Sequence, residues 1–272
     1  MHSRKSIIQY RHTLSQRESY VLSKLSYEEK KVFTVEDVKA IEYNPKNLLD
    51  RLVRKGWILK LRKGVYAIVP LEAGERGATG YTLHSFVIAS VLVKPYYIGY
   101  WSALNHHGLT EAIPPSVFIA TTKPRNSRKI LDISFKFVTI PRSKFFGYQS
   151  VEIERHGVNI STKEKTIVDC LDHPEHCNGV EEVAKALYYS KKELDYEGIL
   201  DNTKKIGNNA VLKRLAYISE VLGLKELSAM LTHVYFSKGY SYLDPTSPRK
   251  GRFLEKYRLI INSRIEPSKW SS

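Results

Sequence analysis

The stretch from Thr34 to Pro70, TVEDVKAIEYNPKNLLDRLVRKGWILKLRKGVYAIVP, decides the fold. Thr34 is a good helix N-cap, and Glu36 and Asp37 put anions in the first turn, where the helix dipole favours them. Val35, Val38 and Ile41 form an apolar stripe for a helix of about two turns. Tyr43-Asn44-Pro45 breaks it, because a proline disfavours a helical residue before it but fits the first position of a new helix. Asn44 is positioned to cap that second helix. Leu48, Leu49, Leu52 and Val53 make its buried face, while Lys46, Asn47, Asp50, Arg51 and Arg54 fall opposite. Gly56 marks its end.

Trp57 to Arg62 then reads as a strand, Lys63-Gly64 as a tight turn, and Val65 to Val69 as the return strand. Two short helices followed by a basic-tipped hairpin are the layout of a winged helix-turn-helix. Such a module lays its second helix in the DNA major groove and sets its wing on phosphates. The DNA-contact set expected is Lys46, Asn47, Arg51, Arg54 and Lys55 on the helix, with Lys60, Arg62 and Lys63 on the hairpin.

Charge agrees with that reading. The 272 residues carry a formal net charge of +15. Residues 1–70 hold 15 Lys/Arg against 7 Asp/Glu, and residues 71–272 hold 28 against 21. The excess is densest in the segment that reads as a DNA module, and a polyanion partner follows from electrostatics. At 42% hydrophobic and 26% charged residues the chain is globular. Its N-terminus, MHSRKSIIQYRHTLSQ, lacks an apolar signal core, and no apolar run reaches membrane-spanning length. The expectation is a cytoplasmic protein. Two cysteines, Cys170 and Cys177, offer no disulfide framework.

The organisation expected is α+β in two domains. Residues 1–72 form the winged helix-turn-helix, with a first helix over Ser15–Leu25 that buries Tyr20, Val21 and Leu25. The glycine-rich stretch 71–80 is a linker. Residues 81–272 form a larger domain of α/β content, with a small mainly antiparallel sheet and C-terminal helices. Helices are expected over 81–94 and 99–107, the latter stopped by Gly108, and strands over 117–122, 133–140 and 151–160. The last strand folds at His156-Gly157, and Ser161-Thr-Lys-Glu164 is read as a capping box opening the next helix. Further helices are expected near 180–190, 195–206, 208–222 and 224–235.

Several constellations qualify as candidate sites. Cys170, His173, His176 and Cys177 lie within eight residues, but Pro174 interrupts them and the adjacent His176-Cys177 pair serves one ion badly, so no metal is expected. His106-His107 offers a general base without a nucleophile or carboxylate beside it; a helix C-terminus explains it. Glu152 and Glu154 read as edge-strand charges. Tyr96-Tyr97 and Tyr100-Trp101 read as core. Arg249, Lys250 and Arg252 form a second cationic cluster, open between nucleic-acid contact and a solvated tail. No phosphate-binding loop, dinucleotide fingerprint or hydrolase motif occurs, so neither cofactor nor catalysis is expected.

The winged segment, followed by KPYYIGYWSALNHHGLTEAIPPSVFIATT and GVNISTKEKTIVDCLDHPEHCNGVEEVAKAL, resembles the AbiEi-type antitoxins, regulators of type IV toxin–antitoxin pairs in viral defence. The similarity runs from about Ser15 to about Asn262 and includes LDPTSPRKGRFLEKYRLIIN. Its specific motifs are Tyr100-Trp101-Ser102-Ala103-Leu104 and Glu164-Lys165-Thr166 with Asp169. The resemblance implies a repressor of its own promoter that binds inverted repeats in double-stranded DNA as monomer or dimer. It also implies a nucleotidyltransferase-like toxin as partner. The alternatives are a lone regulator without a toxin, or a nucleic-acid-processing enzyme targeted by the winged domain.

Overall fold

A computed structural model describes residues 11–74, 77–79, 81–232 and 234–270. The readings of residues 1–10, of linker positions 75, 76 and 80, and of position 233 in the last expected helix lie outside these. The fold is mixed α+β, and the chain divides into two compact units, Met1–His84 and Ser85–Ser272.

In the first unit, α1 (Gln16–Tyr27) opens on a reciprocal cap: Ser15 Oγ accepts from the Glu18 amide, and the Glu18 carboxylate accepts from the Ser15 amide. Glu18, Val21, Leu22 and Leu25 recur at helical spacing and are buried. Tyr20, expected in the core, falls off that stripe and is 60% exposed. A strand not foreseen, β1 (Val32–Thr34), leads into α2 (Val35–Lys39). Thr34 caps α2 reciprocally with Asp37. The stripe anticipated there is only partly buried, with Val38 alone fully covered.

Pro45 begins α3 (Pro45–Arg54), as expected, but Asn44 makes no side-chain cap; its ψ of 72° departs from the extended N-cap conformation. Leu48, Leu49 and Leu52 are fully buried against α1 and Phe33, and Gly56 takes the left-handed φ of 75° beyond the helix end. Strands β2 (Ile58–Arg62) and β3 (Val65–Ile68) form the hairpin, turned at Gly64 with φ 76°, a conformation that side-chain-bearing residues resist. Strand β1 pairs with the other edge of β3, giving the order β1-β3-β2. Two 3-10 turns, Leu71–Ala73 and Gly77–Thr79, occupy the expected linker.

In the second unit, the helix expected over 81–94 shrinks to α4 (Ser85–Ser90), because Lys94-Pro95 redirects the chain into β4 (Tyr97–Ile98). Next come α5 (Tyr100–His106), β5 (Val117–Thr121), β6 (Arg128–Ile130), β7 (Ile133–Thr139), β8 (Tyr148–Ile153) and β9 (His156–Ser161). The β8–β9 turn is Glu154-Arg155, two residues before the expected site; both have left-handed φ, as a two-residue hairpin loop requires. The six strands form one mixed sheet, β6-β7-β5-β4-β9-β8, with parallel pairing of β5 to β7 and β4 to β9. The other three pairings are antiparallel, so the sheet is mainly antiparallel, as expected.

Helix α6 (Lys163–Asp172) is capped by Thr162, which accepts from the Lys165 amide; Ser161 ends β9 instead, so the expected cap slides by one residue. Then follow α7 (Val180–Ser190), α8 (Tyr196–Ile206), α9 (Asn209–Val221) and α10 (Lys225–Met230). The C-terminal stretch builds a small sheet from β10 (Ser241–Tyr242), β11 (Arg252–Leu254) and β12 (Leu259–Ile261). The helices and the main sheet share one apolar core that includes Leu104, Phe118, Ile167, Leu187 and Leu215.

Candidate nucleic-acid interface

The exposed side of α3 presents Lys46, Asn47, Asp50, Arg51 and Arg54, because the leucines on the other side are consumed by the core. Lys46 and Asn47 occupy the first turn. The guanidinium of Arg54 reaches back to the Asp50 carbonyl at 3.4 Å. Lys60, Arg62 and Lys63 are exposed on β2 and at the hairpin tip. The tip is tied to the start of α2 by the Val35 amide, which donates to the Gly64 carbonyl at 3.1 Å.

Two of the expected DNA-contacting residues have a second role. Glu18 of α1 is fully buried, and Lys55 Nζ donates to it at 2.6 Å and Arg51 Nε at 3.2 Å. Lys55 also donates to the Thr13 carbonyl at 2.9 Å. Burial alone would raise the Glu18 carboxyl; the hydrogen bonds from Lys55, Ser15 and Arg51 outweigh it and hold it at about 2. Glu18 thus fixes the angle between α1 and α3. It engages Arg51 by Nε, and the Arg51 side chain remains about half exposed. Sequence periodicity did not single out Glu18. Its signal was a capping-box glutamate at an apolar stripe position.

Trp57 extends this brace: its Nε1 donates to the His12 carbonyl at 2.7 Å, and the Arg11 guanidinium lies 4.5 Å from its ring centre.

In the second unit the motif around Lys165 and Asp169 closes on Tyr97, three residues before the Tyr100–Leu104 motif. Lys165 Nζ pairs with Asp169 and donates to the Tyr97 hydroxyl at 3.1 Å, and that hydroxyl donates to Asp169 at 2.9 Å. All three side chains are buried. Burial and the Asp169 charge push the Tyr97 hydroxyl well above its ordinary range, so it remains a donor. An i, i+4 Lys–Asp pair on a helix otherwise lined by Ile167, Val168 and Leu171 was the available clue. Tyr100, which opens α5 with φ 55°, buries its ring edge-on to His173 and His176.

His107 Nε2 lies 2.7 Å from the Ser161 carbonyl; burial lowers its pKa, so the neutral ring donates there. His106 lies against Phe86. Glu152 lies on β8, the edge strand of the sheet, while Glu154 belongs to the turn. Cys170 and Cys177 are joined to each other, a single bridge that the reading of no disulfide framework did not foresee, and are thereby withdrawn from any ligand set. His173, Glu175 and His176 keep donor atoms within 4.8 Å of one another. Arg249, Lys250 and Arg252 are exposed around Gly251, whose missing side chain lets the segment press against the Ile261 carbonyl. No described helix is long and apolar enough to cross a membrane.

The fold is shared with a crystal structure of the RV2827C protein from Mycobacterium tuberculosis, at a TM-score of 0.66 and 16% identity over 94% of each chain. No curated protein sequence matches. Residues 23–69, from within α1 through β3, match the family model described as "Transcriptional regulator, AbiEi antitoxin".

Proposed function

We propose that the first unit is a winged helix-turn-helix and that the chain is a sequence-specific repressor of its own promoter, serving as the antitoxin of a type IV toxin–antitoxin pair. It acts by binding double-stranded DNA, not by catalysis, in the cytoplasm, and its partner is a nucleotidyltransferase-like toxin. One observation carries this: α3 stands on a fully apolar base, with Lys46, Asn47, Arg51 and Arg54 outward, followed at once by a hairpin tipped by Arg62 and Lys63. The match of residues 23–69 to an antitoxin and regulator family supports it.

Lys46, Asn47 and Arg54 are assigned to base edges; arginine and lysine suit guanine, and asparagine suits adenine. Arg51, oriented from behind by Glu18, and Lys60, Arg62 and Lys63 are assigned to phosphates. Lys55 serves the fold through Glu18. An inverted-repeat operator takes two copies, one per half-site.

The test is binding of the full chain to promoter duplex and to a scrambled duplex of equal length. Lys46→Ala, Asn47→Ala and Arg54→Ala are each expected to lower promoter preference by about 1–3 kcal/mol. Unchanged preference in all three would remove α3 as the reading helix.

A further inference from the structure

The second unit carries its own concentration of charge. Residues 123–144 contain seven Lys/Arg and one Asp, which supplies six of the seven net positive charges of residues 71–272. The rest of that long region is close to neutral. The cations therefore do not reflect a generally basic surface.

Few of these side chains are neutralised by a neighbouring carboxylate. Within 123–144, Lys129 pairs with Asp132 and Lys144 with Asp172. Lys123, Arg125, Arg128, Lys136 and Arg142 are all exposed, and none has an ion-pair partner among the described residues. Five unneutralised cations so close along the chain repel one another, a cost that a bound polyanion removes.

Their placement is ordered by the sheet. β6 is the edge strand, joined to β7 by a two-residue turn at Leu131-Asp132, both left-handed. Arg128 lies opposite Phe135, and its guanidinium is 6.0 Å from the Phe137 ring on the same face. Lys136 stands beside Phe118 on the other face, with Nζ 5.4 Å from that ring. Both aromatic neighbours limit the side chains' freedom before any partner arrives. Lys123 and Arg125 lie in the loop entering β6, and Arg142 in the turn after β7. The edge is thus lined with cations on both faces.

We propose that this β6–β7 edge is a second nucleic-acid surface, which grips the phosphate backbone of duplex DNA without reading sequence. The residue types fit: Ser127, Asn126 and Thr139 are exposed among the cations, the set that binds phosphate oxygens. Leu131 is the one large apolar side chain exposed in the segment, so an apolar protein interface has no anchor there. The choice of duplex DNA rests on the reading of the first unit as a DNA binder.

The experiment measures binding of the full chain to a long promoter duplex, a scrambled duplex and a single-stranded RNA of the same length, each over a range of salt. The variant is Arg125→Ala/Arg128→Ala/Lys136→Ala, confirmed folded by its unchanged melting profile. Affinity for both duplexes should fall by the same factor. The salt slope should shrink by about 0.9 for each phosphate no longer neutralised, about 3 in all. Preference for promoter over scrambled duplex should stay as in the wild type. Duplex affinity and slope both unchanged would overturn the proposal. So would a loss confined to the RNA, which would assign the edge to RNA. If the wild type shows no promoter preference while the triple variant still loses slope on both duplexes, the repressor reading fails and this surface stands.

Discussion

Replacing Glu18 by Gln should destabilise the first unit through one buried carboxylate. Glu18 is fully buried and accepts from Lys55, Arg51 and the Ser15 amide. Its pKa falls from an ordinary 4.5 to about 2. A carboxyl depressed in the folded state contributes stability that is complete above its unfolded pKa and disappears as pH falls through the folded one. The shift corresponds to about 3 kcal/mol at neutral pH. Glutamine does not titrate and cannot neutralise two cations, so the gap between wild type and Glu18→Gln should be about 3 kcal/mol at pH 7. It should narrow by about 2 kcal/mol near pH 3, between the two pKa values. Trp57 reports on this unit, so urea unfolding is followed by fluorescence in a Trp101→Phe/Trp270→Phe background. A gap below about 1 kcal/mol at pH 7, or one that does not narrow in acid, would refute the reasoning.

Two further expectations concern the wing and the second unit. Arg62→Ala and Lys63→Ala should weaken promoter and scrambled duplex alike and reduce the salt slope by about 1 each, measured by anisotropy titration. Lys165→Met strands the buried Asp169 charge and should cost about 3–5 kcal/mol in thermal or chemical unfolding. The double variant Lys165→Met/Asp169→Leu should recover most of that loss, because it removes both charges from the core.

Periodicity made the first unit legible. Leu48, Leu49 and Leu52 could face only inward, and Gly56 and Gly64 could only end a helix and turn a hairpin. β1 escaped because three residues hold no period, and only its pairing to β3 defines it. The β8–β9 turn was misplaced because composition points to glycine, whereas Glu154 and Arg155 take the left-handed conformation under the constraint of the paired strands. The cap of α6 slipped because Ser161 and Thr162 are chemically equivalent caps, and the ladder to β8 claims Ser161 first. The charged groups were the least legible. The faces of α3 were assigned correctly as exposed or buried, but no local pattern reveals that a glutamate 33 residues away engages Arg51. The Lys165–Asp169 pair showed in its i, i+4 spacing, but its partner Tyr97 was hidden, since that contact joins a short strand to a helix 68 residues later.

Lys46 separates the demands of stability from those of binding. It lies in the first turn of α3, where the partial positive charge of the helix end disfavours a cation, and it makes no ion pair among the described residues. Arg51, Arg54 and Lys55 lie in or beyond the last turn, where the same dipole favours them, and two of them also neutralise Glu18. The three C-terminal cations therefore have a structural account, and Lys46 has none. Lys46→Glu should stabilise the first unit by about 0.3–1 kcal/mol at low salt, since it replaces an unfavourable charge with a favourable one. The same change should abolish promoter binding, because it sets a carboxylate against phosphate or a base edge at the leading turn of the reading helix. Opposite signs in the two assays, unfolding and promoter titration, are what a residue kept for DNA produces. A variant that is more stable and binds promoter as the wild type does would leave Lys46 a solvated lysine and move the reading face toward Arg51 and Arg54.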